Sequence, residues 1–134
     1  MKYRDDEYNW EQKYRPRTIE DCILPAHIKH AAAGIIKVGR IPNLLLTHPS
    51  PGIGKTTLAM VLCKLLDVDV MCINASLHAN MDALRNSVAQ FASKASFDQK
   101  QKVIFWDEAD GISRGTQEAL RAFIETYSAN CTHI

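Results

Sequence analysis

Two short runs of residues in this sequence have the types and spacing to do chemistry. The first is Pro51-Gly52-Ile53-Gly54-Lys55-Thr56-Thr57. Gly52 and Gly54 permit backbone angles and a close approach that a side chain would block. Amide groups of such a turn, followed by a helix N-terminus, converge on one spot and favour a polyphosphate. Lys55 would reach the outer phosphates, and the Thr56 hydroxyl would ligate Mg²⁺. The strict pattern G-x-x-x-x-G-K-[ST] is not met, because Pro49 stands where the first glycine belongs. The second run is Val103-Ile104-Phe105-Trp106-Asp107-Glu108. A carboxylate at the end of a buried strand beside a phosphate loop can hold Mg²⁺ through water, so Asp107 is the metal candidate. The next carboxylate can deprotonate or orient an attacking water, so Glu108 is the candidate base, with Lys55 as its catalytic companion. Together the runs read as Walker A and Walker B elements and point to an ATPase using ATP and Mg²⁺.

Such residues work only if strands and helices hold them. Pro25 suits a first helical turn and Gly39 a C-terminal stop, and apolar residues between them recur at helical spacing, which predicts a helix over 26–38. Leu44-Leu45-Leu46-Thr47 reads as a short buried strand ahead of the 48–54 loop. A helix runs from the loop to about 66, and 68–73 reads as a second strand. Residues 81–95 predict a helix, 103–106 a third strand, and 116–128 a last helix. Strands alternating with helices predict an α/β fold: a P-loop three-layer α/β/α arrangement around a parallel sheet. Residues 1–9 read as a loose polar arm, and 10–18 as too irregular for a helix, with Pro16 turning Arg15 away from helical angles.

The 134 residues suit one domain, and 46% hydrophobic with 23% charged residues is a globular composition. No apolar run approaches the roughly 18 residues of a membrane span, and Met1 to Glu7 have no apolar signal core. Cys22, Cys63, Cys72 and Cys131 contain no C-x-x-C pair, which predicts buried free thiols in a reducing cytoplasm rather than zinc or disulfides. A net charge of +1 leaves room for local or shared basic contacts to nucleic acid.

The run Trp10-Glu11-Gln12-Lys13-Tyr14-Arg15-Pro16 resembles the E-K-Y-R-P box of clamp-loader subunits, the replication factor C-like branch of the AAA+ ATPases. Further matches, among them 18–25, Pro49-Ser50-Pro51-Gly52, Phe91-Ala92-Ser93 and Ser128-Ala129-Asn130-Cys131, are similar to the large, ATP-hydrolysing subunits of sliding-clamp loaders from T-even-type phages. That branch shares the Pro49 departure. The resemblance covers 10–134 and implies a subunit that works with other clamp-loader subunits, a sliding clamp and primer–template DNA in DNA replication, in the cytoplasm of a host cell.

Residue by residue, the resemblance implies that Glu11, Gln12, Lys13, Tyr14 and Ile23 line the adenine and ribose side, and that Gly52, Ile53, Gly54, Lys55, Thr56 and Thr57 form the phosphate loop. Asp107-Glu108-Ala109-Asp110 match a D-E-A-D Walker B. Asn74 resembles a strand-end polar residue that holds the catalytic glutamate inactive until DNA binds; a strand-end asparagine making a turn is the other reading. Gln117, Ala119, Leu120 and Arg121 resemble a helix that couples neighbouring sites. Arg85, Arg114 and Thr116 are the candidates for the DNA backbone, against a plain solvated face. Leu77-His78-Ala79-Asn80 depart from the charged residues often found there, which puts a DNA contact from that loop in doubt.

A DEAD-box helicase shares the Asp107 to Asp110 letters but not the E-K-Y-R-P box. A non-hydrolysing interaction module is the third reading, which intact Lys55, Thr56, Asp107 and Glu108 oppose. The resemblance places a sensor asparagine, an arginine finger, a lid and a collar after the start of a fourth strand at 130–134. The expectation is therefore an incomplete AAA+ domain. Alone it should bind nucleotide weakly and hydrolyse it poorly, and the strands at 44–47 and 103–107 should lack their shared neighbour.

Overall fold

The computed structural model describes residues 10–75, 81–94 and 99–134. The arm expected at 1–9 and the 77–80 loop lie outside the described residues, as do the side chains of 11, 12, 81–85 and 119.

A single helical turn, α1 (Trp10–Lys13), opens the described chain. It stands where no helix was expected: Tyr14 N–H closes the turn on the Trp10 carbonyl, at 2.9 Å, and Pro16 limits the helix to that turn. Helix α2 (Ala26–Val38) has the expected bounds. Pro25 precedes it, and Gly39 ends it at φ 75°, donating its N–H to the Ile35 and Ile36 carbonyls. Next come α3 (Lys55–Leu65), β1 (Asp69–Asn74), α4 (Met81–Ser93), β2 (Lys102–Asp107), a 3₁₀ turn at Ala109–Gly111, α5 (Arg114–Tyr127) and β3 (Thr132–His133).

The sheet is parallel with order β1-β2-β3. Alternation along β2 sends successive side chains to opposite faces. Val103 and Phe105 join Ile41, Leu58, Leu62 and Ile134 in one core beneath α2 and α3. Ile104 and Trp106 join Ile73, Val88, Ala92, Phe123 and Tyr127 in a second, beneath α4 and α5. The three-layer α/β fold is thus observed. Among the described residues no helix is long and apolar enough to cross a membrane.

Leu44 to Thr47 form no strand ladder. Leu44 N–H donates to the His133 carbonyl at 2.9 Å, which brings this run beside β3, but Leu45 is 87% exposed. A ladder needs a facing backbone, and β3 faces this run only at its first residue. Side-chain amides replace the missing rungs: Gln101 donates to the Ile41 carbonyl (2.6 Å) and accepts from its N–H (2.9 Å), while Asn43 Oδ1 accepts from His133 N–H (2.8 Å). The four cysteines are free, and Cys22, Cys63 and Cys131 are buried as expected, with burial pushing the Cys63 thiol up to about 11. Cys72 is exposed instead, because β1 is the outer strand of the described sheet.

Candidate nucleotide site

The 48–54 segment leads directly into α3. Gly52 and Gly54 take φ values of 74° and 95°, a region that L side chains avoid. Gly54 is the N-cap of α3 and offers no side chain to its first amides, so these remain available to an anion. Helical bonding begins at once, with Leu58 N–H on the Gly54 carbonyl at 2.8 Å. Leu58, Ala59 and Leu62 anchor the helix in the core below. Lys55 Nζ donates to the Ser50 carbonyl at 3.3 Å, which holds the ammonium over the loop.

β2 delivers its two acids to the same place. Asp107 Oδ1 accepts a 2.9 Å hydrogen bond from Thr56 Oγ1, across fifty-one positions of sequence. Glu108 follows with φ 55° and ψ 42°, a left-handed conformation that costs a non-glycine residue about 1–2 kcal/mol. The 3₁₀ turn holds it there, with Gly111 N–H donating to the Glu108 carbonyl at 3.0 Å. Asn74 is the direct cross-strand partner of Asp107, and Ala75 N–H donates to the Asp107 carbonyl at 2.9 Å. Lys55, Thr56, Asp107, Glu108 and Asn74 are therefore gathered at one end of the sheet.

The segment before α2 reaches the loop from another side. Ile19 and Cys22 are buried in the main core, and Thr18 Oγ1 donates to Asp21 Oδ2 at 2.8 Å within the turn they form. Leu24 packs on that core, and its Cδ2 would lie 3.9 Å from a β-carbon at Gly54. Ile23, between two packed neighbours, is 99% exposed. Tyr14 is exposed too, with Lys13 Nζ 5.6 Å from its ring centre. The side chains of Glu11 and Gln12 lie outside the described residues. A cavity of about 400 Å³ between Arg15, Arg17 and the C-terminal half of α3 is lined by none of the loop residues.

The remaining candidates stand apart. Arg114 begins α5 and is exposed. Thr116 serves the helix cap: its N–H donates to Ser113 Oγ at 3.4 Å, and the two hydroxyls are 2.8 Å apart. Ser113 as N-cap moves the helix start two residues ahead of the expected 116, and its serine type is the local signal for that start. Gln117 Nε2 donates to the Ile112 carbonyl at 3.0 Å, and Arg121 is exposed. Arg85 lies on α4 with its side chain outside the described set. Leu24 and Ser50 were not foreseen at the site; Ser50 contributes only a carbonyl, for which side-chain type gives no signal.

A glycine-bent loop capping a helix, with a hydroxyl–carboxylate pair at the end of the adjoining parallel sheet, defines a P-loop ATPase-type domain. Residues 45–134 match the family described as "ATPase family associated with various cellular activities (AAA)", and the chain belongs to that family. Among relatives, it is 47% identical over 132 residues to the sliding-clamp-loader large subunit of Enterobacteria phage T4, covering 97% of this chain and 41% of that protein. It is 40% identical to the sliding-clamp-loader large subunit of Escherichia phage RB69, covering 96% of this chain and 40% of that protein. A replication factor C small subunit of Methanocella arvoryzae is 38% identical, over 93% of this chain and 40% of its own length. The chain thus spans about two fifths of the curated relatives it matches. In fold it is similar to the Thermotoga maritima RuvB Holliday junction branch migration motor, with a TM-score of 0.66, 21% identity, and 90% of this chain and 40% of that chain covered.

Proposed function

We propose that this chain is the nucleotide-facing part of a clamp-loader ATPase subunit, which uses ATP with Mg²⁺ to open a sliding clamp and load it onto primer–template DNA together with other loader subunits. The observation that carries the site is the 2.9 Å bond between Thr56 and Asp107. A hydroxyl and a carboxylate brought together at a strand end are hard oxygen donors suited to a small divalent cation. The open amides of the glycine loop suit a polyphosphate. The clamp-loading role is supported by what the two phage relatives and the replication factor C relative are called.

In this reading Gly52 to Thr57 hold the phosphates by backbone amides, and Lys55 exchanges the Ser50 carbonyl for phosphate oxygens. Thr56 and Asp107 would hold the cation, which would supply charge neutralisation to the phosphates. Glu108 takes the proton of the attacking water, with Asn74 restraining it until DNA is bound. Lys13, Tyr14 and Ile23, with Glu11 and Gln12, cover the base and ribose. Arg85, Arg114 and the start of α5 at Thr116 meet the DNA backbone without reading bases, as a sequence-independent machine requires. The 117–121 stretch of α5 couples the site to a neighbouring subunit.

The test is ATP turnover by the protein assembled with its loader subunits. Primed DNA and clamp are expected to raise it, and Glu108→Gln to abolish turnover while leaving nucleotide bound. Stimulation by RNA alone would overturn the clamp-loader reading in favour of a helicase.

A further inference from the structure

Trp106 immediately precedes the two acids of the site, and its side chain leaves β2 on the face opposite to Asp107. There its indole Nε1–H donates to His133 Nδ1 at 3.1 Å, with the two rings within 13° of parallel and their centres 6.4 Å apart. His133 is 5% exposed and set in an otherwise apolar layer. A buried imidazole is an expensive choice in such a layer unless its hydrogen bonds serve it. Here they also define its state. An indole N–H can only donate, so Nδ1 must be the bare acceptor and the ring proton sits on Nε2, which lies 3.8 Å from Cys131 Sγ. Burial agrees, lowering the pKa of the imidazole and keeping it neutral.

The imidazole also stands on a fixed base. His133 N–H is held by Asn43 Oδ1 at 2.8 Å, and its carbonyl accepts from Leu44 N–H at 2.9 Å. The ring of Phe123 on α5 meets it edge-on, with centres 6.3 Å apart and planes at 85°. The end of β2 is therefore gripped from both faces: by Thr56 on Asp107 from the α3 side, and by His133 on Trp106 from the α5 side. Backbone bonds complete the grip, with Trp106 N–H on the Ile134 carbonyl at 2.8 Å.

We propose that His133 is a positioning residue for the magnesium-side carboxylates: through Trp106 it sets the end of β2, so that the seat of α5 on the sheet is felt at Asp107 and Glu108. This rests on the nucleotide-site reading given above. A displacement of α5 reaches Phe123, then the His133 ring, then the indole, and so the residue next to Asp107. An aliphatic residue at position 133 would fill the layer but would leave the Trp106 indole without its acceptor, and this connection undefined.

The test uses Trp10→Phe as background, which leaves Trp106 as the sole tryptophan of the two in the chain. Binding of N-methylanthraniloyl-ADP is followed by energy transfer from Trp106, with Mg²⁺ and with EDTA, so that the ratio of the two affinities isolates the cation-dependent part. His133→Phe keeps a flat ring and removes the acceptor; it is expected to lower that ratio by roughly fivefold, within the range of one net hydrogen bond, while leaving the EDTA affinity unchanged. His133→Gln, which retains an acceptor, is expected to restore most of the ratio. Should His133→Phe not fold, Trp106→Phe removes the same bond from the other side, and nucleotide anisotropy then reads the same loss. A folded His133→Phe protein with an unaltered ratio, or a Gln variant as impaired as the Phe variant, overturns the proposal and leaves the nucleotide site standing. An unsubstituted protein whose nucleotide binding is indifferent to Mg²⁺ overturns both.

Discussion

At the phosphate end of the site, Thr56, Asp107 and Lys55 all bond to the chain itself, and Asp107 sits at the end of the central described strand. At the end proposed to meet the base, Ile23 is 99% exposed and Tyr14 72% exposed, and neither is packed into a core. The backbone there is nonetheless anchored, because Cys22 is buried and Leu24 packs on the main core beside it. The phosphate end is preformed chemistry: polar groups already placed, whose geometry depends on the sheet. The base end is a fixed backbone presenting apolar side chains, whose gain comes only when something covers them. Substitutions at the two ends should therefore fail differently, one through geometry and charge, the other through lost contact area.

The largest effect is expected from Lys55→Ala. Hydrogen bonds from an ammonium to phosphate oxygens contribute about 1.5–3 kcal/mol, so nucleotide affinity should fall roughly 10–100-fold by titration calorimetry. Asp107→Ala should remove the Mg²⁺-dependent part of the affinity and little of the rest. If Lys55→Ala and Ile23→Ala lower affinity equally, the contrast between the two ends is wrong. Gly54→Ala comes next. A β-carbon would meet only Leu24 at an ordinary 3.9 Å, so backbone strain at φ 95° rather than a clash is the expected fault. Stability should fall by about 1–2 kcal/mol in urea, and phosphate binding with it.

Ile23→Ala should do the reverse. The side chain is already in water, so the urea midpoint should not move. On the proposed reading its contact with the base would be lost, and burying part of an isoleucine accounts for a threefold to tenfold fall in affinity, or about 1 kcal/mol. A drop in stability instead would mean that Ile23 belongs to the core of the protein.

The phosphate end was also the legible end. Gly52, Gly54, Lys55 and Thr56 stand within a few residues of one another, and their types, like those of Asp107 and Glu108 after an apolar strand, suggest locally the chemistry proposed for them. Helix α2 was legible because Pro25 and Gly39 mark its ends locally. The apolar content of Leu44 to Thr47 predicts a strand, yet a strand exists only against a partner, and here Gln101 and Asn43 side chains do much of the pairing. Gln101 and Ile41 are sixty positions apart, and nothing local in either announces the other. The helical turn at Trp10–Lys13 was missed for the opposite reason, being a single hydrogen-bonded turn with no period to detect. Trp106 and His133 were invisible as a pair: each reads alone as a strand residue, and only the parallel register, with Ile104 beside His133, sets the rings together.

That register also yields the smallest predicted effect, and one that asks whether the stiffness of the phosphate end depends on the layer behind it. His133 is buried neutral, so its folded pKa lies below the value of about 6.5 that it has when unfolded. Above that value the ring is neutral in both states and contributes no pH dependence. As the pH falls below it, the unfolded chain takes up a proton that the folded protein resists, so stability declines toward the lower folded value and levels off beneath it. Burial is the cause of this lowering, and the side chains against the ring do not offset it: burial raises the Cys131 thiol, which stays neutral at such pH despite the nearby Lys102 ammonium, and Trp106 and Phe123 carry no charge. The thermal midpoint should therefore decline as the pH falls below about 6.5, and His133→Gln should flatten that portion of the curve. Loss of Mg²⁺-dependent nucleotide affinity should set in only further down, as the pH reaches the lower folded value, since the folded ring keeps a bare Nδ1 until then and only a protonated Nδ1 can no longer accept the indole hydrogen. An affinity that still holds after the midpoint has levelled off, where the folded ring is protonated, would show that the end of β2 keeps its place from the Thr56 side alone.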